Sequence, residues 1–409
     1  MEEQIPKNQR LKFLPLIPLI FLAIIFLLSG YYFGRRGYTA EIKNFRPKVT
    51  VYNKKDTYDN VDFTNFWQVW DLINEKYITK QDSKTLLYGA IEGLTKATGD
   101  PYTSFLTPDQ NDSFSQGLAG EYEGVGIELG MKNESLLIIA PLEGSPAEKS
   151  GIQAGDLIQK INDKETAGMS LTNAVSIIRG KEGTKITLTL LHEGEKEYKD
   201  YEITRAKILV PSVTWKDAGE GIVQLRLSRF GDTTNREWRD TVDEILQKRP
   251  GLKGIVLDLR GNPGGYLSGS VFVVSEFVSA GKTVLIEEFA DMTRKEVKTE
   301  FSGKLLNVPT VILIDGGSAS SSEIVAAALR NLKKFKVVGV NSFGKGTIQD
   351  AEDFSDGSGI HITVAKWLDP DGNWYHEIGI EPDVAVEVDK AKKEEGIDNQ
   401  LEKAVERLK

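Results

Sequence analysis

One stretch of the sequence decides the fold, and its residues 311–329 read VILIDGGSASSSEIVAAAL. It starts as a short apolar, mostly β-branched run typical of a buried strand, and a turn of glycine and serine follows. The remaining residues are apolar and alanine-rich, which favours a helix. A strand that passes through a tight turn into a helix is the building unit of α/β domains, whose functional groups gather at the carboxyl ends of strands.

The same pattern recurs along the carboxyl-terminal half of the chain. Short apolar runs at 222–227, 254–259 and 336–340 are separated by helical stretches. This alternation predicts a largely parallel sheet with helices around it. Two further turns follow such runs, DLRGNPGG at 258–265 and SFGKGTIQ at 342–349. We therefore expect three functional turns at one edge of the sheet.

Residues 122–206 have a different character. Short β-like runs at 135–139, 157–161 and 185–191 alternate with glycine-rich turns, and one helix is expected near 171–178. This segment resembles a PDZ domain, through Gly124-Val125-Gly126-Ile127, Gly144-Ser145-Pro146-Ala147 and the run 150–158.

The glycines of the first PDZ motif have a direct physical interpretation. Gly124 and Gly126 allow consecutive backbone N–H groups to converge on the terminal carboxylate of a peptide. The strand from Ile127 would then pair with that peptide. The alternative is that these glycines only serve tight turns.

The serine-rich turn has two interpretations. A hydroxyl between a strand and a helix is exposed, and the helix N-terminus offers free N–H donors to a developing oxyanion. However, Ser320 and Glu323 also have the spacing of a helix capping box. Taken alone, this segment favours capping over catalysis.

A serine nucleophile requires a base. His361 and His376 are the histidines of this block, and neither lies in a glycine-rich turn, whereas Lys345 does. Lysine can act as a base when burial suppresses its charge, which requires its ordinary pKa of about 10.4 to fall by roughly 3 units, or about 4 kcal/mol. Gln349 could orient the amine without restoring its charge.

Lys345 also invites a nucleotide-binding interpretation, because Gly339 and Gly344-Lys345 nearly match a phosphate-binding P-loop. The motif requires Ser or Thr after the lysine, where this chain has Gly346, and a helix thereafter, where the sequence is strand-like. Both departures count against nucleotide binding.

Together, the three turns and the inserted PDZ-like segment resemble the carboxyl-terminal processing proteases (tail-specific proteases), peptidase family S41. The likeness covers roughly 60–387, from the motif at 100–106 to the one at 379–383. It implies an α/β fold, with a crotonase/ClpP-like protease core and an inserted β-rich PDZ domain. The implied activity is that of a serine endopeptidase with a Ser-Lys dyad.

The resemblance also assigns residues. The family's nucleophile falls on Ser320, its lysine base on Lys345 and its orienting glutamine on Gln349. Backbone N–H groups at Gly264, Gly265 and Ser321 would form the oxyanion hole, and Ser321 departs from the family's usual alanine. Arg179 matches an arginine that in some relatives couples peptide binding to activity; otherwise it is a solvated residue at a helix end.

Composition excludes several classes of protein. The chain has 409 residues, 60 acidic against 51 basic, and a net charge of −9, which disfavours a nucleic-acid partner. With no cysteine and three histidines, thiol chemistry is excluded and a histidine-rich metal site is disfavoured. We expect no metal and no organic cofactor, and protein or peptide substrates.

The N-terminus predicts a membrane anchor. Residues 13–33 carry no charge, and as a helix of about 1.5 Å per residue they would extend about 31 Å, enough for a bilayer core. A cleaved signal peptide is the alternative. We expect residues 1–36 to form a cytoplasmic tail and single-pass transmembrane helix, with the catalytic part outside the cytoplasm, in a bacterial envelope.

The remaining boundaries follow from these assignments. We expect a stalk at 37–60, a helical N-terminal part of the protease domain at 61–121 and the PDZ domain at 122–206. The serine protease core then spans 207–389, and a charged, solvated helix spans 390–409. The sequence leaves open whether a homodimer or an activating partner forms.

Two rival functions remain. One is a catalytically silent PDZ scaffold in the envelope, and the other is an acyl-thioester enzyme of the crotonase-like fold. The second would not explain the serine–lysine–glutamine set, the PDZ insertion and the anchor together.

Overall fold

The computed structural model describes residues 16–35, 38–43, 46–51, 63–132, 135–142, 144–169, 171–192 and 194–409. The chain divides into two compact units, Met1–Ser83 and Lys84–Lys409.

The described part of the first unit contains helices and a hairpin, namely α1 (Leu16–Arg35), β1 (Tyr38–Lys43), β2 (Arg46–Val51) and α2 (Thr64–Lys76). β1 and β2 pair antiparallel. Part of the expected stalk is therefore a hairpin, and residues 37, 44–45 and 52–60 lie outside the described residues.

The predicted anchor overlaps α1, and residues 1–15 and 36 lie outside the described residues. Within the part of the chain that the structure describes, no helix combines the length and apolar character needed to cross a membrane.

The second unit begins with a short helical region. Its elements are α3 (Ser83–Lys96), β3 (Ser104–Leu106) and α4 (Pro108–Ala119). Both helices lie within the helical N-terminal part expected at 61–121. β3 pairs with a strand of the protease core, Ser104 opposite His361, so this region contributes directly to the core.

A small β domain follows. Its elements are β4 (Glu121–Gly124), β5 (Ile127–Lys132), β6 (Ser135–Pro141), α5 (Pro146–Lys149), β7 (Leu157–Ile161), β8 (Lys164–Glu165), α6 (Leu171–Ile178), β9 (Lys185–Leu191), β10 (Lys199–Thr204) and β11 (Ala206–Leu209). The main sheet has the order β10-β9-β7-β6-β5, which leaves β5 as an edge strand. β4 and β11, through which the chain enters and leaves the domain, pair with each other. The predicted runs and the predicted helix are confirmed.

The core contains a six-stranded sheet in the order β12-β13-β14-β17-β18-β21. Its strands are β12 (Val213–Gly219), β13 (Ile222–Leu227), β14 (Gly254–Asp258), β17 (Thr310–Ile314), β18 (Lys336–Gly339) and β21 (Val384–Ala385). All pairs are parallel except β12 with β13. β14 and β17 are buried along their whole length, as expected of parallel strands covered on both faces.

Helices α7 (Thr234–Lys248), α8 (Leu267–Phe277) and α9 (Ser321–Lys333) pack on this sheet. They share one large apolar cluster with it, which includes the fully buried Trp238 and Phe277. The predicted parallel α/β core is confirmed.

A second, antiparallel sheet has the order β16-β15-β20-β19, and β3 joins β20. Its strands are β15 (Thr283–Phe289), β16 (Arg294–Lys298), β19 (Thr347–Asp353) and β20 (Gly359–Leu368).

The expectation of a single solvated C-terminal helix is wrong. The tail forms α10 (Lys390–Glu394) and α11 (Asn399–Glu406), and Ala404 of α11 is fully buried against the sheet. The many charges of this segment mask an apolar stripe at Leu401, Ala404, Val405 and Leu408, which has helical spacing.

Candidate active site

The serine-rich turn connects β17 to α9 and places Ser320 at the helix N-cap. Ser320 has φ 54° and ψ −115°, a conformation that costs a non-glycine residue on the order of 1–3 kcal/mol. The Glu323 carboxylate accepts the Ser320 backbone N–H at 2.7 Å, which confirms the capping interpretation. Capping and strain coexist here, so this is more than an ordinary helix start.

The serines around Ser320 fix the turn. Ser318 Oγ donates to the Leu259 carbonyl at 2.8 Å, and Ser322 Oγ donates to the Asn262 carbonyl at 2.9 Å. All three serines flanking Ser320, at 318, 321 and 322, are buried, whereas Ser320 is partly exposed.

The departure from the family at Ser321 has a structural use. Its hydroxyl donates to the Gly265 carbonyl at 3.0 Å, and so ties the start of α9 to the glycine turn after β14. Because Ser321 is only 1% exposed, its hydroxyl lies within the protein beside the more exposed Ser320.

The glycine turn lies against Ser320. A Cβ on Gly264 would approach Ser320 Cβ and the Ala319 carbonyl oxygen to 2.9 Å, and Gly264 has φ 100°. The Gly264 N–H donates to Asn262 Oδ1 at 2.9 Å, whereas no hydrogen bond of the described residues uses the N–H of Gly265 or Ser321. Of the three predicted oxyanion-hole residues, Gly265 and Ser321 therefore have a backbone N–H group that is free to donate to an oxyanion, whereas the N–H group of Gly264 is already used.

The lysine turn follows β18. Gly344 has φ 91°, and a Cβ there would meet the Gly379 backbone nitrogen at 2.9 Å. The Lys345 carbonyl accepts the Trp367 indole N–H at 2.7 Å. β19, and not a helix, follows this turn, so the structure agrees with the sequence in rejecting a P-loop.

Glu323 joins the serine and lysine turns. It is fully buried, and in addition to the Ser320 N–H its carboxylate accepts Ser342 Oγ at 2.6 Å, Gly344 N–H at 2.7 Å and Lys345 N–H at 2.9 Å. One carboxylate thus fixes both turns. The sequence around Glu323 predicts only a capping role, and it carries no local signal for a buried carboxylate that bridges two turns.

The Lys345 side chain is half-buried, and its amine lies 5.1 Å from the centroid of the Tyr102 ring. Burial lowers the pKa of Lys345, and the negative charges of Asp100 and Glu323 oppose that change. No hydrogen bond of the described residues joins Lys345 Nζ to Ser320 Oγ. Glu323 thus brings the serine and lysine turns together, but the Lys345 amine and the Ser320 hydroxyl are not hydrogen-bonded to each other.

Gln349 lies at the start of β19, half-buried. Its side-chain amide donates to Thr347 Oγ1 at 2.8 Å and to Thr363 Oγ1 at 3.1 Å. Gln349 is thus oriented by Thr347 of its own strand and Thr363 of the neighbouring strand β20.

The two histidines of the core have different surroundings. His361 packs at 4.4 Å against Phe114, and burial lowers the pKa of His361, as does the charge of Lys345, while Asp353 opposes this. His376 stacks on Trp374, and its Nδ1 accepts the Gly346 N–H at 3.3 Å. The sequence placed neither histidine in a functional turn, yet His376 contacts the backbone beside Lys345.

In the small domain, Val125 is fully buried and Gly126 has φ 77°. A Cβ on Gly126 would collide with Ser145 Cβ at 2.4 Å, so the loop before Ile127 requires glycine. Gly124 ends β4, where it pairs with Ala206. This loop leads into the edge strand β5.

Arg179 follows α6 and is exposed, and its guanidinium lies 4.9 Å from the centroid of the Tyr122 ring. Tyr122 belongs to β4. Arg179 therefore contacts the ribbon that connects the small domain to the core, and is not simply solvated.

Among the residues that the structure describes, no group of three or more metal-ligating side chains could hold a metal ion.

Comparison with known proteins gives three family matches. Residues 221–386 match the model of peptidase family S41, residues 137–191 match a PDZ domain, and residues 25–110 match the activating protease CtpB N-terminal domain.

Similar whole proteins point to the same family. The carboxy-terminal processing protease CtpA of Bacillus subtilis (strain 168) is 38% identical over 326 residues, which are 80% of this chain and 69% of that protein. A probable CtpA-like serine protease of Staphylococcus aureus (strain MSSA476) is 38% identical over 344 residues, 84% of this chain and 68% of that protein.

Among solved structures, a putative S41 protease from Bacteroides fragilis NCTC 9343 has a TM-score of 0.56 at 16% identity. The match covers 77% of this chain and 88% of that one, and it supports the fold. The two relatives and the family matches show that the chain belongs to peptidase family S41 and is a serine-type carboxy-terminal processing protease with a PDZ domain.

Proposed function

We propose that this chain is a membrane-anchored endopeptidase that cleaves peptide bonds with Ser320 as nucleophile and Lys345 as general base. One observation carries the proposal. The buried Glu323 carboxylate accepts the backbone N–H of both residues, at 2.7 and 2.9 Å, and so holds the serine and lysine turns side by side.

The reaction begins with an uncharged Lys345. Its amine takes the proton of Ser320 Oγ as the oxygen attacks the substrate carbonyl. The N–H groups of Gly265 and Ser321 stabilise the oxyanion. Lys345 then protonates the leaving amine, and water hydrolyses the acyl-enzyme. The burial that lowers the pKa of Lys345 supports this role, because an ammonium cannot accept a proton.

Proton transfer requires the amine and the hydroxyl to come within hydrogen-bond distance. In enzymes without substrate such bonds are often long, and they tighten when substrate binds. Gln349 can help to bring the Lys345 amine towards Ser320. Two threonines orient the side-chain amide of Gln349 and leave its carbonyl oxygen as an acceptor for the amine. We propose that Gln349 orients Lys345 in this way.

The PDZ domain is proposed to capture the carboxyl terminus or an exposed apolar segment of a protein. The edge strand β5 can pair with an added peptide strand, and the loop at Gly124, Val125, Gly126 and Ile127 is proposed to bind the terminal carboxylate. Capture raises the effective concentration of the substrate near Ser320. We also propose that Arg179, through its contact with Tyr122, couples capture to the core.

Anchoring by residues 1–36 and an extracytoplasmic location are part of the proposal. They are supported by the uncharged run at 13–33 with basic residues on both sides. Fractionation of cells that express the full chain, or a chain lacking residues 1–36, tests this. The full chain is expected in the membrane fraction; its recovery in the soluble fraction, uncleaved, contradicts the anchor.

The catalytic proposal is tested by cleavage of a long peptide with a free carboxyl terminus. Ser320→Ala is expected to lower turnover by roughly 10³-fold or more. The matched control is Ser321→Ala, which removes a hydroxyl bonded to Gly265 and should keep most of the activity. Unchanged turnover in Ser320→Ala contradicts the dyad. Absence of cleavage by the unmodified protein would instead favour the silent PDZ scaffold.

A further inference from the structure

The segment Asp100-Pro101-Tyr102-Thr103 is fixed beside the lysine turn. The Asp100 carboxylate accepts the Tyr102 N–H at 3.0 Å and the Thr103 hydroxyl at 2.7 Å. Thr103 Oγ1 in turn accepts the backbone N–H of Thr363 in β20, at 3.1 Å. This segment is therefore attached to the antiparallel sheet that carries Gln349.

The Tyr102 ring covers the amine of Lys345. The amine lies 5.1 Å from the ring centroid, and the ring packs edge-on against His376 at 6.0 Å. His376 stacks on Trp374, whose indole donates to the Gly346 carbonyl at 2.8 Å. The three rings form one aromatic row, in which His376 and Trp374 are hydrogen-bonded to Gly346 of the lysine turn.

A second connection runs from the same segment to Gln349. Its amide donates to Thr363 Oγ1, and the Thr363 backbone N–H donates to Thr103 Oγ1. The titratable groups that face the amine or the Tyr102 ring are Asp100, Glu323, His361, His376 and Glu377.

We propose that Tyr102 is a positioning residue for the general base: its ring holds the Lys345 amine in place and shields it from water. The inference deepens the proposed function and rests on it. The aromatic face, and not the phenol oxygen, is the working part, because the contact to Lys345 is made by the ring.

The sign of the effect follows from two opposing contributions. A cation–π contact stabilises the ammonium by about 0.5–1 kcal/mol at exposed sites, which is less than one pKa unit. Loss of hydration can shift a buried amine by several units in the opposite direction. Burial is also the largest cause of the lowered pKa of Lys345. Removing the ring should therefore admit water and raise this pKa.

The experiment measures kcat/KM against pH for the full-length protein in detergent, with a tailed peptide. In Tyr102→Ala the acidic limb is expected to move to higher pH, with about tenfold less activity on that limb for each unit and recovery at high pH. Tyr102→Phe is expected to retain the original profile. An unchanged profile in Tyr102→Ala, or an equal loss at every pH, overturns the proposal. If Tyr102→Ala does not fold, Tyr102→Leu replaces it.

A second readout separates this inference from the proposed function. NMR of lysine labelled at ¹³Cε follows the titration of Lys345 in a Ser320→Ala background, with Lys345→Arg to assign the signal. Adding Tyr102→Ala should raise the Lys345 midpoint, and no change in it would overturn the inference. If Ser320→Ala proved active, the dyad would fail, and the NMR titration would still decide whether Tyr102 controls the amine.

Asp100 provides a test of opposite sign. Its carboxylate opposes the lowering of the pKa of Lys345, and an asparagine can still accept the Tyr102 N–H. Asp100→Asn is therefore expected to move the acidic limb to lower pH, in contrast to Tyr102→Ala. A shift of both variants in the same direction contradicts the electrostatic account.

Discussion

The serine turn and the lysine turn of this protease are built in different ways. The serine turn is fixed by hydrogen bonds: its residues 318, 321 and 322 are buried and bonded to the adjacent glycine turn, 56 to 60 residues earlier in the chain, and Ser320 is strained. In the lysine turn the backbone is fixed by the Glu323 carboxylate and by the indoles of Trp367 and Trp374. The Lys345 amine is surrounded by groups from distant segments, such as Tyr102.

This difference has a mechanistic meaning. A nucleophile needs a fixed position, which short-range hydrogen bonds supply. A lysine base needs a controlled charge, which depends on burial and on carboxylates that the whole fold brings near. We expect substitutions in the serine turn to act on geometry and substitutions around Lys345 to act on pH dependence.

The largest effect should come from Lys345→Arg. Arginine retains a positive charge and similar length but does not deprotonate, so kcat should fall by roughly 10²–10⁴-fold. Steady-state cleavage of a tailed peptide measures this, with the exposed Lys248→Arg as control, expected within about twofold. If Lys345→Arg retained activity, the lysine would act as a charge and not as a base.

Glu323→Gln tests the connection between the two turns. An amide would present N–H donors to the N–H groups that the carboxylate now accepts, which costs about 1–3 kcal/mol of stability for an unsatisfied buried group. Misplacement of the reacting groups is expected to reduce kcat by about 10²-fold.

Denaturant unfolding and turnover measure both effects. The control is Glu296→Gln, because Glu296 is exposed and pairs with Lys298 at the surface. A loss of stability in Glu323→Gln no greater than in this control would refute the bridging role.

Gly264→Ala tests how tightly the serine turn is determined. Gly264 and Gly281 both have positive φ, 100° and 81°, but only Gly264 would place a Cβ against Ser320, since Gly281 faces open space. Gly281→Ala should therefore cost stability through backbone strain alone, about 1 kcal/mol. Gly264→Ala should cost more stability and lower kcat at least about tenfold. Equal effects on both measurements would mean that the turn tolerates displacement.

The smallest effect is expected far from both turns. Amidating the carboxyl terminus of a tailed peptide removes the charge that the loop around Gly126 is proposed to bind. KM should rise about tenfold, or about 1.4 kcal/mol, with kcat unchanged. A peptide too short to reach both sites is the control. Equal KM for the free acid and the amide would argue against carboxylate capture.

The same difference explains what could be predicted from the sequence. The strands of the parallel sheet and the strand–turn–helix at Ser320 follow from local patterns of apolar residues, glycine and serine, and they are confirmed. The sequence predicts a helical tail but not its burial, because the charged face of the helix hides the apolar stripe at Leu401 and Ala404.

The surroundings of Lys345 could not be predicted in this way. The PDZ domain and most of the protease core lie between Tyr102 and Lys345 in the sequence. The pairing of β3 with β20 brings Tyr102 next to Lys345. The spacing of Ser320 and Glu323 predicts helix capping, but it does not predict that Glu323 also binds the backbone of the lysine turn. The catalytic roles of Ser320, Lys345 and Gln349 stay predictions.

The most direct measurement is the location of the acyl group during turnover. The full-length protein is mixed with a peptide ester, quenched with acid, digested and mapped by mass spectrometry. The acyl group is expected on Ser320, with Ser321 unmodified, and it should not accumulate in Lys345→Arg. Acylation of Ser321, or equally rapid acylation of Ser320 in Lys345→Arg, would contradict the account.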